Sequence, residues 1–153
     1  DNFTTNIMTL LSLLPIFPLY YNGNTKFSPI HVSDFCEIIV KIIDESISSE
    51  IIECVGPEKL SFKEIIKKLL IAIDKKTFLL PVPTFIAKII AFFLEKLPTP
   101  LITQDQLRLL KYDNILSQEN KSNIDIGFKS KLKFDEEIVK YSYMWKKGGE
   151  YSK

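Results

Sequence analysis

The sequence predicts an α/β fold: a small, mostly parallel sheet with helices between its strands, followed by a helical subdomain. Three observations predict it. Over the first half of the chain, short β-branched runs alternate with helical apolar periods in the order strand, helix, strand, helix, the pattern a parallel sheet leaves in a sequence. The second half carries helical periods with few strand runs. The composition, 46% hydrophobic and 25% charged over 153 residues, is that of a globular domain whose single core needs neither disulfides nor metal.

Taken in order, residues 1–14 place Phe3, Ile7, Leu10, Leu11 and Leu14 at helical spacing, and Pro15 ends the helix because it has no N–H and clashes with the preceding turn. Residues 15–25 read as a turn-rich loop ending in Asn22-Gly23-Asn24. Residues 26–32 read as a short strand, with Pro29 at an edge or a strand end. Ser33 or Asp34 then caps a helix, Glu37 being the capping-box partner of Asp34, with Phe35, Ile38, Ile39, Ile42 and Ile43 on its apolar face. A strand over 51–55 is closed by Gly56-Pro57.

The capping box Ser61-Phe62-Lys63-Glu64 opens a helix with Ile65, Ile66, Leu69, Leu70 and Ile73 on one face. Residues 77–80, ended by Pro81-Val82-Pro83, fit a third strand or an extended loop, and both stay open. Pro83 begins a helix over 85–96 that is apolar nearly all round, and Leu97-Pro98-Thr99-Pro100 breaks it. A further helix, capped within 103–106, runs to about residue 115. Residues 117–122 read as a polar loop, 135–145 as a helix carrying Ile138, Val139, Tyr141 and Met144, and 146–153 as a fraying tail. The expected division is residues 1–82 as the sheet-bearing part and 83–153 as the helical subdomain and tail.

Composition also excludes functions. Lys+Arg 20 against Asp+Glu 19 leaves a net charge of +1, which gives no basic surplus for nucleic acid. Five glycines, none closely clustered except Gly148 and Gly149, cannot make a dinucleotide or Walker loop. Two cysteines and one histidine cannot build a zinc site, and Cys36 and Cys54, set in apolar runs, read as buried free thiols of a reducing compartment. Neither 8–21, broken by Pro15 and Pro18, nor 85–94, which carries Lys88, reaches the ~20 apolar residues of a membrane span. No signal peptide is expected, and the missing initiating Met together with the small number of strands suggests a fragment.

Several residues invite a chemical reading. His31, beside Val32, Ser33 and Asp34 at a strand end before a helix, stands where α/β proteins place ligand contacts. Against this stands a packed His31 with Asp34 as a mere cap. A Ser-His-Asp triad from Ser33, His31 and Asp34 is excluded, because sequence neighbours cannot converge in the required order. Tyr143 and Lys147 have the Y-x-x-x-K spacing of dehydrogenases, but no strand or nucleotide loop lies near them, and chance explains the pair better. Glu136 and Glu137 read as a solvated first turn, and Lys63, Lys67, Lys68, Lys75 and Lys76 as a solvated helix face, with contact to phosphate or anionic lipid as the rival. The apolar stretch 85–94 is core, or, if exposed, a patch for a partner or a membrane surface.

The order of motifs resembles a known family. Asp1-Asn2-Phe3, the stretch 15–19 and Lys26-Phe27-Ser28-Pro29-Ile30-His31-Val32-Ser33-Asp34 resemble the second half of extended and atypical short-chain dehydrogenase/reductase proteins, including the NAD-dependent epimerases and dehydratases. Val55-Gly56-Pro57-Glu58-Lys59-Leu60-Ser61, Leu80-Pro81-Val82-Pro83 and the stretch 100–114 are similar to the NAD(P)-binding accessory subunit of respiratory complex I and its bacterial relatives.

The resemblance implies the C-terminal part of a Rossmann-like NAD(P)-binding domain, with Pro29, His31 and Asp34 on the wall of the cofactor crevice. It carries over no catalytic residue and no metal ligand, since the glycine-rich loop and the Tyr/Lys region precede the matching stretch in such proteins. It further implies NAD or NADP as a mainly structural cofactor, complex I subunits as partners in NADH:ubiquinone oxidoreductase, and possible peripheral membrane contact. The implied places are the cytoplasm, the cytoplasmic face of the bacterial inner membrane, or the matrix side of the mitochondrial one. Histidine at position 31 is common in the epimerases, whereas the complex I branch often has an aromatic residue there; this departure keeps an active epimerase, dehydratase or reductase as the alternative.

Overall fold

Proline ends the first helix where expected in the computed structural model, which describes residues 2–83, 85, 86, 89 and 104–151. Helix α1 (Asn2–Leu13) buries Ile7, Met8 and Leu11. The next element departs from expectation. Residues 16–20, read from sequence as loop, form strand β1 (Ile16–Tyr20), which pairs in parallel with β5 (Phe78–Val82) and sets Pro18 opposite Leu80. A proline fits a strand only where the ladder does not need its N–H, and β1 has a single neighbour among the described residues. The open choice over 77–80 is thereby resolved as strand.

After a 3-10 turn at Tyr21–Gly23, strand β2 is only Lys26–Phe27 and pairs antiparallel with β4 (Leu60–Ser61). The expected strand over 26–32 stops there because Ser28 turns its N–H to the carbonyl of Asn114 and its carbonyl to the N–H of Gly56. Helix α2 (Val32–Asp44) follows, capped by His31 rather than by Ser33 or Asp34. Of its predicted apolar face only Ile38 is buried; Phe35, Ile39 and Ile43 are exposed, since little among the described residues packs there.

Strand β3 (Ile52–Glu53) pairs in parallel with β6 (Lys121–Ser122), a strand inside the stretch expected to be loop. Two residues are too few for an alternating pattern to show, and the pair is secured by Glu53 reaching Ser117 and Asn120. Among the described residues the strands thus make two parallel pairs and one antiparallel pair rather than one continuous sheet. The fold class is mixed α/β.

Helix α3 (Phe62–Ala72) forms as its sequence dictates. Ser61 accepts from the Glu64 N–H at 3.2 Å while Glu64 accepts from the Ser61 N–H at 2.7 Å, satisfying two orphan donors reciprocally. Ile65, Ile66, Leu69 and Ile73 make the centre of the core with Met8, Leu11 and Leu19. Helix α4 (Gln104–Leu109) is shorter than predicted, because the chain turns at Lys111 and Tyr112 and Asn114 bridges to Phe27. The predicted helix over 85–96, its breaker and the cap at Thr103 lie outside the described residues, apart from Phe85, Ile86 and Ile89.

Helix α5 (Phe134–Ser142) and a 3-10 turn at Tyr143–Trp145 close the fold, Ile138 and Trp145 entering the same core as α1 and α3. The tail through Tyr151 is fastened rather than frayed. Trp145 Nε1 donates to Thr9 Oγ1 at 3.0 Å, the Tyr151 ring lies 5.0 Å from that of Trp145, and the Tyr151 N–H donates to the Met144 carbonyl at 2.8 Å. Contrary to expectation, Cys36 is exposed and Cys54 half-buried, the partial burial pushing the Cys54 thiol up. Among the described residues no helix is long and apolar enough to cross a membrane.

Candidate functional site

The loop 28–32 owes its path to a glycine. Gly56 lies so close to the Pro29 carbonyl that an added Cβ would stand 1.7 Å from its oxygen, so any other residue would push the loop away. Its N–H also donates to the Ser28 carbonyl at 3.3 Å. Pro29 and Ile30 are thereby held in front of α2, and His31 Nδ1 accepts from the Ser33 N–H at 3.2 Å as the helix cap. An accepting Nδ1 leaves the proton of the neutral imidazole on Nε2, which makes that edge of His31 a donor.

This loop lines a half-open cavity of about 820 Å³. Phe3 and Thr4 of α1 and Phe27 of β2 line it as well. Helix α5 supplies Phe134, Glu137, Ile138 and Tyr141, residues at i, i+3, i+4 and i+7 that share one face. The rings of Phe3 and Phe27 lie 6.2 Å apart, and the series continues from Phe27 to Phe62 at 6.3 Å and from Phe62 to Phe17 at 6.5 Å, which ties the cavity wall to the core. Tyr141 and Thr4 share a hydrogen bond of 3.0 Å between their hydroxyls.

Of the predicted site residues, Pro29 and His31 line the cavity and Asp34 does not. Asp34 is buried and accepts the N–H groups of Lys131 and Leu132 at 3.0 and 3.1 Å. It therefore positions the 131–134 segment, whose Leu132, Lys133 and Phe134 also line the cavity. Glu58 helps by accepting from the Phe134 N–H at 3.2 Å.

Glu137 is the residue that sequence reasoning missed. Expected in a solvated turn, its side chain is only 13% exposed, and its Oε2 lies 3.7 Å from His31 Nε2, beyond direct hydrogen-bond reach. Lys140 donates to both carboxylate oxygens at 2.7 Å. The signal was available: Glu137 interrupts the apolar face formed by Phe134, Ile138 and Tyr141.

The remaining candidates lie off the cavity. Tyr143 is exposed in its 3-10 turn and Lys147 is exposed beyond it. Lys63 and Lys67 are solvated, while Lys68 donates to Asp135 at 2.9 Å and holds that carboxyl below its usual range. Among the described residues no group of three or more histidine, cysteine or acidic side chains could hold a metal ion. No protein-family model matches the chain, and no curated protein matches it at a significant level.

Proposed function

We propose that the chain is the C-terminal part of a short-chain dehydrogenase-like protein, that its loop 28–32 walls the crevice of a bound NAD or NADP, and that the nucleotide serves mainly as a structural cofactor. The observation that carries this reading is the cavity of about 820 Å³ lined by that loop directly ahead of a capped helix. Parallel pairing of β1 with β5 supports the fold, and the apolar face of α2, uncovered among the described residues, suits burial under a further layer.

The residues present fit the ring end of a dinucleotide. Pro29, Ile30 and the surrounding phenylalanines offer flat apolar surface to an aromatic ring, and His31 Nε2 offers a donor to an amide or hydroxyl. No glycine-rich helix start among the described residues offers a pyrophosphate cradle, so this chain contributes a wall rather than the anchor. The proposal extends to complex I subunits as the assembly partner, with the apolar stretch 85–94 as the contact to them or to the membrane surface.

A second reading, an active epimerase, dehydratase or reductase, is favoured by one observation: His31 Nε2 and Glu137 Oε2 lie 3.7 Å apart on the cavity lining, a donor and a carboxylate able to handle a proton. Titrating the whole natural polypeptide with NADPH and NADH while following thermal unfolding, then assaying turnover, separates the two. A hundredfold excess of nucleotide over its Kd should stabilise by about 2.7 kcal/mol. Stabilisation without turnover supports the structural reading, turnover of a sugar nucleotide or carbonyl supports the enzyme, and no stabilisation by either nucleotide overturns both.

A further inference from the structure

We infer that this cavity binds a small neutral aromatic molecule bearing a hydroxyl group, the hydroxyl bridging His31 Nε2 and the Glu137 carboxylate and the ring resting among the phenylalanines. The inference rests on the cavity alone; such a molecule and the ring end of a nucleotide would compete for the same space, so it is tested without nucleotide.

Charge narrows the ligand first. Both oxygens of Glu137 already accept from Lys140, so a cationic ligand would find a carboxylate that is compensated. An anion would find Lys133, the lysine on the cavity wall, already paired with Glu136 at 3.6 Å. A neutral molecule meets neither obstacle. Shape and surface narrow it further, since Phe3, Phe27, Phe35, Phe134 and Tyr141 all line the cavity and favour a flat ring packed edge to face or offset.

The polar pair then decides the substituent. The His31 cap fixes a donor at Nε2, and Glu137 Oε2, an acceptor, stands 3.7 Å away, too far for the two to satisfy each other. One hydroxyl oxygen placed beside both can accept from Nε2–H and donate to Oε2. A ligand with a methyl group there would strip both of water and return nothing.

Phenol and toluene are nearly the same size and differ by this one group, so they make the test, performed on the chain without nucleotide and read by ligand-observed NMR titration. Phenol should bind about tenfold more tightly than toluene, the worth of one well-formed hydrogen-bonded group. In His31→Asn, which keeps an N-cap acceptor but withdraws the Nε2 donor, the preference for phenol over toluene should fall severalfold. Glu137→Gln should weaken phenol in the same direction. Equal affinities in the unmodified chain, no binding of either probe, or a phenol preference unchanged in both variants would overturn the inference, whatever the nucleotide titration shows.

Discussion

At the scale of single residues, two positions set the cavity walls. Gly56→Ala should displace the loop 28–30 because the new Cβ would collide with the Pro29 carbonyl, and the expected loss is about 2 kcal/mol or more in urea unfolding, with altered binding at the cavity. Unchanged stability and binding would mean that the loop does not depend on this close approach. Asp34→Ala leaves two backbone N–H groups without their buried acceptor and should cost about 3 kcal/mol, with Asp34→Asn recovering part of it.

Glu53 carries a pH dependence of definite sign. The Ser117 hydroxyl, then the Asn120 amide and the Ser117 N–H, hold its carboxyl below the usual range. A group whose folded pKa is depressed adds stability that is fully present above its unfolded pKa and is lost as the pH falls through the folded value. Urea midpoints measured from the ordinary glutamate range downward should therefore fall more steeply for the natural chain than for Glu53→Gln. Parallel curves would show that the staple between β3 and the 117–120 segment contributes nothing to acid stability.

Residue chemistry was legible where it is local. Ser61 and Glu64 make the capping box that their three-residue spacing implies. His31 shows the limit: Ser33 and Asp34 are better cap residues by type, yet the Gly56 contact fixes where the chain turns, and His31 falls at the cap. Glu137 differs for a related reason: adjacency to Glu136 in the first turn of a helix implies solvent, yet position 137 falls on the apolar face of α5 that lines the cavity.

At the scale of elements, helices follow from local sequence pattern more closely than strands do. The helices α1, α3 and α5 follow from apolar periods long enough to be distinctive; the predicted face of α3 is buried at Ile65, Ile66, Leu69 and Ile73, whereas Phe3 and Leu14 of the first period and Val139 of the last are exposed. Strands β1, β4 and β6 are not marked by the sequence pattern: β1 carries Pro18 and β4 and β6 have two residues each, so none has the uninterrupted alternation by which strands are recognised. All three exist through pairing with distant segments, which no local pattern contains. Helix α3 is the element on which the fold depends most. Ser61→Ala should cost about 1 kcal/mol through loss of the cap. Ile66→Ala, which empties a fully buried position, should cost about 2–5 kcal/mol in the same measurement.

At the scale of the molecule, one core ties the two ends together, since Ile138 and Trp145 pack with α1 and α3. The cavity arises from that closure: α1, the loop before α2, and α5 meet around it. No single stretch of sequence contains it; Pro29 and His31 lie on its wall. Asp34, singled out with them, acts one step back by holding the 131–134 segment that also lines the cavity.

The central claim, that the loop 28–32 walls a nucleotide site, is tested most directly at His31, the only histidine in this chain. Its imidazole NMR signal, assigned by its loss in His31→Asn, can be followed while NADPH or NADH is added to the whole natural polypeptide. The account predicts a shift that saturates at the same nucleotide concentration as the rise in thermal stability. Nucleotide binding that leaves the His31 signal unmoved would place the site elsewhere and contradict it.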